Sequence, residues 1–227
     1  FEKCGFRYPC TPRRFMNDTK SDLGAKIALR KHFLELTPSP KILECSTGEG
    51  RKIFHACYEG LDCTSLDMKP VKGAIRANNR TFIASQDMTP YNFFDLDGYA
   101  SPYENLLNIL HRKAGRTEPF TIVCTDTTGK RPLGIVKGSS LILAVINNKR
   151  KIDIPFINRH QEFIIKLILK EFTLKYGFTA TARKIVRIPE ENSFYFGVRL
   201  VGTLSVRPKT RTLADEIEHG KESITPT

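Results

Sequence analysis

Between residues 41 and 125, strand-length runs and helix-length stretches take turns, and no other feature restricts the fold of this 227-residue chain as tightly. Residues 41–45, 63–67, 81–86, 92–96 and 120–125 read as strands, and 51–59, 71–78 and 102–114 as helices. Strands joined through helices lie parallel, with helices covering both faces of the sheet. A helix over 22–37 precedes them, with Leu23, Ile27, Arg30 and Leu34 at helical spacing. Ser21 or Asp22 can cap it, and Pro38 and Pro40 stop it. The end of the chain changes character: a strongly apolar helix over 158–176, then strands at 178–188 and 194–201. Pro189-Glu190-Glu191-Asn192 joins these two strands as a hairpin. The expectation is an α/β fold with a mostly parallel seven-stranded sheet, a terminal antiparallel hairpin and helices on both faces.

A hydrophobic content of 40% suffices for one sizeable core. Residues 1–21 read as an irregular arm, 22–205 as the folded domain and 206–227 as a polar tail. No apolar run approaches the ~18 residues of a membrane helix, so no membrane partner is expected. The net charge of +12 and pI near 9.5 favour a polyanionic partner, nucleic acid first, although a merely solubilising surface would look the same. Six scattered cysteines, two of them inside apolar strand runs, are the pattern of reduced thiols in an intracellular, cytoplasmic protein. Cys4 and Cys10 are spaced like half a zinc knuckle but read better as loop cysteines, and no other metal site is expected. Oligomeric state is not legible.

Glu44-Cys45-Ser46-Thr47-Gly48-Glu49-Gly50 follows the first strand directly and opens a helix. Glycines at such a turn let a ligand approach the backbone, and the helix start offers free N–H groups. Gly48 and Gly50, with Ser46 between strand and turn, are therefore candidate ligand contacts. Dinucleotide enzymes and plain structural turns share this general form. The context narrows it. Asp67, with Met68 beside it, ends the next strand, where a carboxylate can accept both hydroxyls of a ribose. Asp87, followed by Met88, is expected to end the third strand, placed for the amino group and face of a purine. Any one aspartate there could cap a helix, but Glu44, Asp67 and Asp87 at three successive strand ends would face one crevice.

The Glu-x-Ser-x-Gly-x-Gly run resembles the first motif of class I S-adenosylmethionine-dependent methyltransferases, with Ser46 where that family carries its first glycine. Asp67 is similar to the family's ribose-binding acid and Asp87 to its adenine-contacting acid, and the terminal helix and hairpin resemble its last strands. The resemblance spans about residues 22–203 and implies a Rossmann-like fold with S-adenosylmethionine as cofactor. Further on, Asp95-Leu96-Asp97-Gly98-Tyr99-Ala100-Ser101-Pro102 and Cys124-Thr125-Asp126 are similar to the Asp-Leu-Asp-Pro-Tyr/Phe-Gly-Ser-Pro and Thr-x-Thr-Asp motifs of tRNA guanine-N2 dimethyltransferases. Phe15, Asn17 and Lys20-Ser21-Asp22-Leu23 faintly resemble that family's upstream elements. Gly98 and Ala100 replace a proline and a glycine of that pattern, and no counterpart of the family's large C-terminal domain is expected.

The resemblance implies tRNA or another RNA as partner, with Asp97 orienting the exocyclic amine and Tyr99 stacking on the extruded base. A helix-capping role is the plain reading of Asp97. Asp95 stands with the cofactor contacts, although strand alternation points it to the face opposite Leu96 and a structural role is open to it. Gly129-Lys130 lacks the leading glycine and Ser/Thr of a phosphate loop, which sets aside an NTPase. Three functions remain: an RNA methyltransferase acting on guanine N2, a methyltransferase of the same fold acting on DNA or protein, and a non-catalytic nucleic-acid-binding relative.

Overall fold

In a computed structural model of the chain, the described residues are 23–98, 102–126, 154–188 and 193–203. The middle of the sheet is made by β1 (Lys41–Cys45), β4 (Phe93–Leu96) and β5 (Phe120–Asp126), and all their residues but Lys41 are buried. β2 (Asp62–Asp67) and the two-residue β3 (Ile75–Arg76) extend one side. β7 (Ser193–Gly202) and β6 (Phe178–Ile188) extend the other. The order is β3-β2-β1-β4-β5-β7-β6, parallel from β3 to β5 and antiparallel at β5–β7 and β7–β6. This is the fold class the sequence leads one to expect.

Two layers of apolar side chains cover the sheet. On one face α1 (Leu23–Glu35) and a π-helical turn (Phe54–Tyr58) enclose Leu29, Phe33, Ile42, Tyr58, Phe93 and Val123. On the other, α2 (Asn79–Ser85), α3 (Tyr103–Lys113) and α4 (Ile154–Lys175) cover Leu43, Cys45, Phe94, Leu96, Ile122 and Cys124. α1 seats on β7 because Gly197 has no side chain there; a Cβ would come within 2.2 Å of the Phe33 ring. Strand alternation has a functional consequence. Ile42 and Glu44, Phe93 and Asp95, and Val123 and Thr125 share the face toward α1, whereas Asp126, at the end of β5, turns to the other face and accepts from the Tyr103 hydroxyl of α3 at 2.6 Å.

One stretch departs from the expected elements. Residues 81–86, expected as a strand, lie in helix α2 up to Ser85 with Gln86 as its extended C-cap, and 71–78, expected as a helix, contain strand β3. Thr81, Phe82 and Ile83 suit a strand, but the Asn78 side chain accepts from the backbone N–H groups of Arg80 and Thr81 at 3.0 and 3.3 Å, nucleating a helix whose Ile83 is fully buried. The tertiary setting outweighs intrinsic preference. Residues 51–59 do wind into a helix, but its second half opens into the π-turn. The other elements fall within a few residues of expectation. The linker 189–192 and the arm and tail lie outside the described residues, as do Cys4, Cys10 and residues 129–130.

Candidate active site

Glu44, at the end of β1, has Ser65 of β2 and Asp95 of β4 as its partners across the sheet. Its carboxylate accepts from Ser65 Oγ at 2.6 Å and Thr47 Oγ1 at 2.7 Å, both at Oε2. Burial drives its pKa above the usual carboxylate range, and the two hydroxyls only partly counter this. The chain then turns sharply. Ser46 has φ +66° and Gly48 φ +74°, so the residue standing where glycine was expected holds a left-handed conformation. Ser46 and Thr47 donate their N–H groups to Leu66 O at 2.9 and 3.1 Å, and Asn79 Nδ2 donates to Ser46 Oγ at 2.8 Å. The turn is thereby tied to both β2 and the start of α2.

Asp67 closes this end of the site. Oδ2 accepts from Gly48 N at 2.9 Å and Oδ1 from Lys69 N at 2.8 Å. Each oxygen retains acceptor capacity, which suits a vicinal diol.

The other end is built differently. β4 carries Asp95 and leads into Asp97, and α1 lays Lys26 and Arg30, one turn apart, over them. Arg30 grips Asp95 through Nε and Nη2, both at 2.7 Å, and lies 3.2 Å from Asp97 Oδ2. Tyr58 of the π-turn donates its hydroxyl to Asp95 Oδ2 at 2.7 Å. Lys26 Nζ sits 3.1 Å from both oxygens of Asp97 and 5.5 Å from the centre of the Tyr195 ring. Burial would raise the Asp97 pKa, but Arg30 and Lys26 outweigh it and hold the carboxyl below its ordinary value. Asp95 is pushed up by burial, against the pull of Arg30. Thr125, at the end of β5, lies close to Asp97, yet its buried Oγ1 has no hydrogen-bond partner of good geometry.

These two ends open onto one cavity of about 590 Å³. Of the residues expected to contact a ligand, Glu44, Ser46, Gly48, Gly50, Asp67, Met68 and Asp97 line it. A Cβ at Gly48 would meet nothing within 4 Å, so this glycine is required by its backbone angle rather than by crowding. Three expected contacts stand elsewhere. Asp95 is sealed beneath α1 with no exposure, serving the ion pair with Arg30. Asp87 follows α2 instead of ending a strand; it is exposed and its Oδ1 accepts from Thr89 N at 2.9 Å. Met88 is 1% exposed and packs in the core under α2 and α3. Tyr99 lies outside the described residues.

Lys26 and Arg30 were not anticipated as site residues. Arg30 gave one sequence signal, its place in line with Leu23, Ile27 and Leu34, where a charge cannot be buried without partners, and Lys26 gave none. Among the described residues, no group of three or more His, Cys, Asp and Glu is placed to hold a metal ion, and no helix is long and apolar enough to cross a membrane.

No family model and no curated protein matches the chain. Among solved structures, it is similar to a candidate hemolysin from Streptococcus thermophilus, at 13% identity and a TM-score of 0.49 over 88% of this chain and 73% of that one. A candidate hemolysin from Lactococcus lactis gives 13% identity and a TM-score of 0.48 over 82% and 90%. The magnesium protoporphyrin IX methyltransferase of Synechocystis, with bound SAH, gives 10% identity and a TM-score of 0.43 over 80% and 81%. At such identities the likeness is one of chain path, and it assigns no chemistry to this chain.

Proposed function

We propose that the chain is an S-adenosylmethionine-dependent methyltransferase whose acceptor is an exocyclic amine of a nucleobase in RNA, guanine N2 first. The observation that carries this reading is one shared cavity with Glu44, the Gly48 turn and Asp67 at one end and Asp97 at the other. The donor set suits the cofactor. Asp67 can accept the ribose hydroxyls, Met68 offers an apolar side chain beside them, and Glu44, buried and without a cationic hydrogen-bond partner, can take the amino-acid ammonium. Ser46, Gly48 and Gly50 bring the backbone close. When bound, the cofactor supplies an electrophilic methyl group on a sulfonium.

The protein's own part is alignment and exclusion of water. An aromatic amine is a poor nucleophile because its lone pair is delocalised into the ring. Asp97, kept ionised by Lys26 and Arg30, can accept its N–H, fix its direction and stabilise positive charge as it develops on nitrogen. The net charge of +12 supports a polyanionic substrate.

Two measurements test the proposal. Calorimetric titration with S-adenosylhomocysteine is expected to show one site per chain; absence of binding overturns the enzyme and leaves the non-catalytic relative. Transfer of tritiated methyl from the cofactor is then compared on total tRNA, rRNA, DNA and protein. Label confined to DNA or protein overturns the RNA acceptor.

A further inference from the structure

Helix α4 is apolar on two opposite faces. Ile164, Ile165, Ile168, Leu169 and Phe172 are buried on the face that covers the sheet. On the reverse face Phe163, Leu167, Lys170 and Leu174 form one stripe, because steps of four, three and four residues return to the same side of a helix. Phe163 is 64% exposed and Leu174 62%, with Leu167 partly buried between them. Single exposed apolar residues are ordinary, but three in line along one helix face make a patch, and such patches mark interaction sites.

The spacing is that of a coiled-coil seam, where apolar positions recur at alternating steps of three and four. Charge says what lies across it. Lys166 flanks one side of the stripe, where it also pairs with Glu162 at 2.6 Å, and Glu171 flanks the other. Two copies of the helix running in the same direction bring opposite flanks together. Lys166 of each copy then faces Glu171 of the other, so the ion pair forms twice. Copies running in opposite directions bring like flanks together, so Lys166 meets Lys170 and Glu171 meets no lysine. Lys170 is the one charge within the seam, and in the parallel pair Glu171 of the other copy stands beside it. A lone lysine in such a seam fixes the register at a cost in strength.

We propose that this face of α4 binds a second copy of the chain, as a twofold pair of parallel helices with Phe163, Leu167 and Leu174 against their own counterparts. α4 covers the sheet face opposite α1, and among the described residues none that lines the cavity belongs to α4. Both cavities therefore stay open in the pair. With only about three helical turns in contact, the pair exchanges with the monomer.

Sedimentation equilibrium of the full chain, from about 1 to 200 μM, is expected to show a reversible monomer–dimer equilibrium. Phe163→Ser combined with Leu174→Ser is expected to weaken it by about tenfold or more, with an unchanged melting temperature because both side chains are exposed. Glu171→Lys should weaken it as well, and Lys170→Leu should strengthen it by about tenfold. Orientation has its own readout: under mild oxidation Phe163→Cys should link two chains through position 163, which an antiparallel pair would keep apart. A chain that stays monomeric over the whole range overturns the proposal, as does association that the double serine variant leaves unchanged. A monomer whose melting temperature falls on Phe163→Ser has this face covered by its own residues, which also overturns it. If Glu171→Lys and Lys170→Leu both leave the association constant unaltered, the parallel seam is overturned. All of these outcomes leave the methyl-transfer reading untouched.

Discussion

The two ends of the cavity handle carboxylates in opposite ways. At the glycine turn, Glu44 and Asp67 are held by hydroxyls and backbone N–H groups, which are neutral donors, so their negative charge stays available. At the α1 end, Asp95 and Asp97 are held by Arg30 and Lys26, and their charge is cancelled. The protonation tendencies follow: Glu44 is raised, chiefly by burial, whereas Asp97 is lowered because nearby cations outweigh burial. On the proposed function, one end takes a ligand that carries positive charge and hydroxyls, and the other takes the group that must be oriented. A cofactor and an acceptor differ in this way.

The sharpest way to break this comparison is to remove one carboxylate from each end. Asp97→Ala is expected to lower methyl transfer by about 10²–10⁴-fold while leaving cofactor affinity close to wild type. Asp67→Ala is expected to weaken the cofactor dissociation constant, measured by calorimetry, by about 2–4 kcal/mol, the worth of one or two bonds to a charged group. Equal loss of cofactor affinity in both variants would mean the two ends are not separate subsites.

Next in size is the ion pair beneath α1. Arg30→Met leaves Asp95 buried without its cation, which is expected to cost about 3–5 kcal/mol in urea unfolding. A cost under ~1 kcal/mol would show that Asp95 takes up a proton and that the cancellation of charge is not what holds this end together.

A smaller effect distinguishes the two ends by pH. The pairing proposed between Glu44 and the cofactor's ammonium requires an ionised carboxylate, so affinity is expected to fall as pH drops through its raised pKa, by up to tenfold per pH unit at ~1.4 kcal/mol each. Glu44→Gln should bind more weakly, without that dependence. Stability of the ligand-free fold has the opposite sign at this residue. With a folded pKa above the unfolded one, Glu44 favours the fold below the unfolded value, and this is lost as pH rises through the folded value. Asp97, lowered in the fold, contributes stability above the unfolded value that is lost as pH falls through the folded value.

The smallest effect concerns the turn. Ser46 carries φ +66°, a conformation that costs a non-glycine residue about 1–2 kcal/mol, and its hydroxyl recovers about 1 kcal/mol through Asn79. Ser46→Gly is therefore expected to raise unfolding stability by less than ~1 kcal/mol. A loss of stability would mean that the tie to α2 outweighs the strain.

Much of this was legible before any coordinates. Strand length and alternation placed β1, β2, β4, β5 and the final hairpin, because a buried strand declares itself by a short run of apolar residues. Glu44, Ser46, Gly48, Gly50, Asp67, Met68 and Asp97 follow from the same frame, since each sits at or just past a strand end. The frame slipped where the signal was shortest. β3 has only two residues, Ile75 and Arg76, too few to show a period, while 81–86 imitate a strand. Asp87 and Met88 were drawn toward the crevice by that slip, and their surroundings lie under and beyond α2.

By itself, the order of residues determined six of the seven strands, all but β3, with their directions and the glycine turn, because these depend on local periodicity and on what a backbone can do near glycine. Only the tertiary structure decided that α1 lies across the strand ends and that Arg30 reaches Asp95 sixty-five residues away. It alone turned Asp95 on β4 and Asp97 just beyond its end into a sealed ion pair and a cavity wall. Charge compensation is a matter of distance through space, and distance between remote segments is not written in sequence spacing.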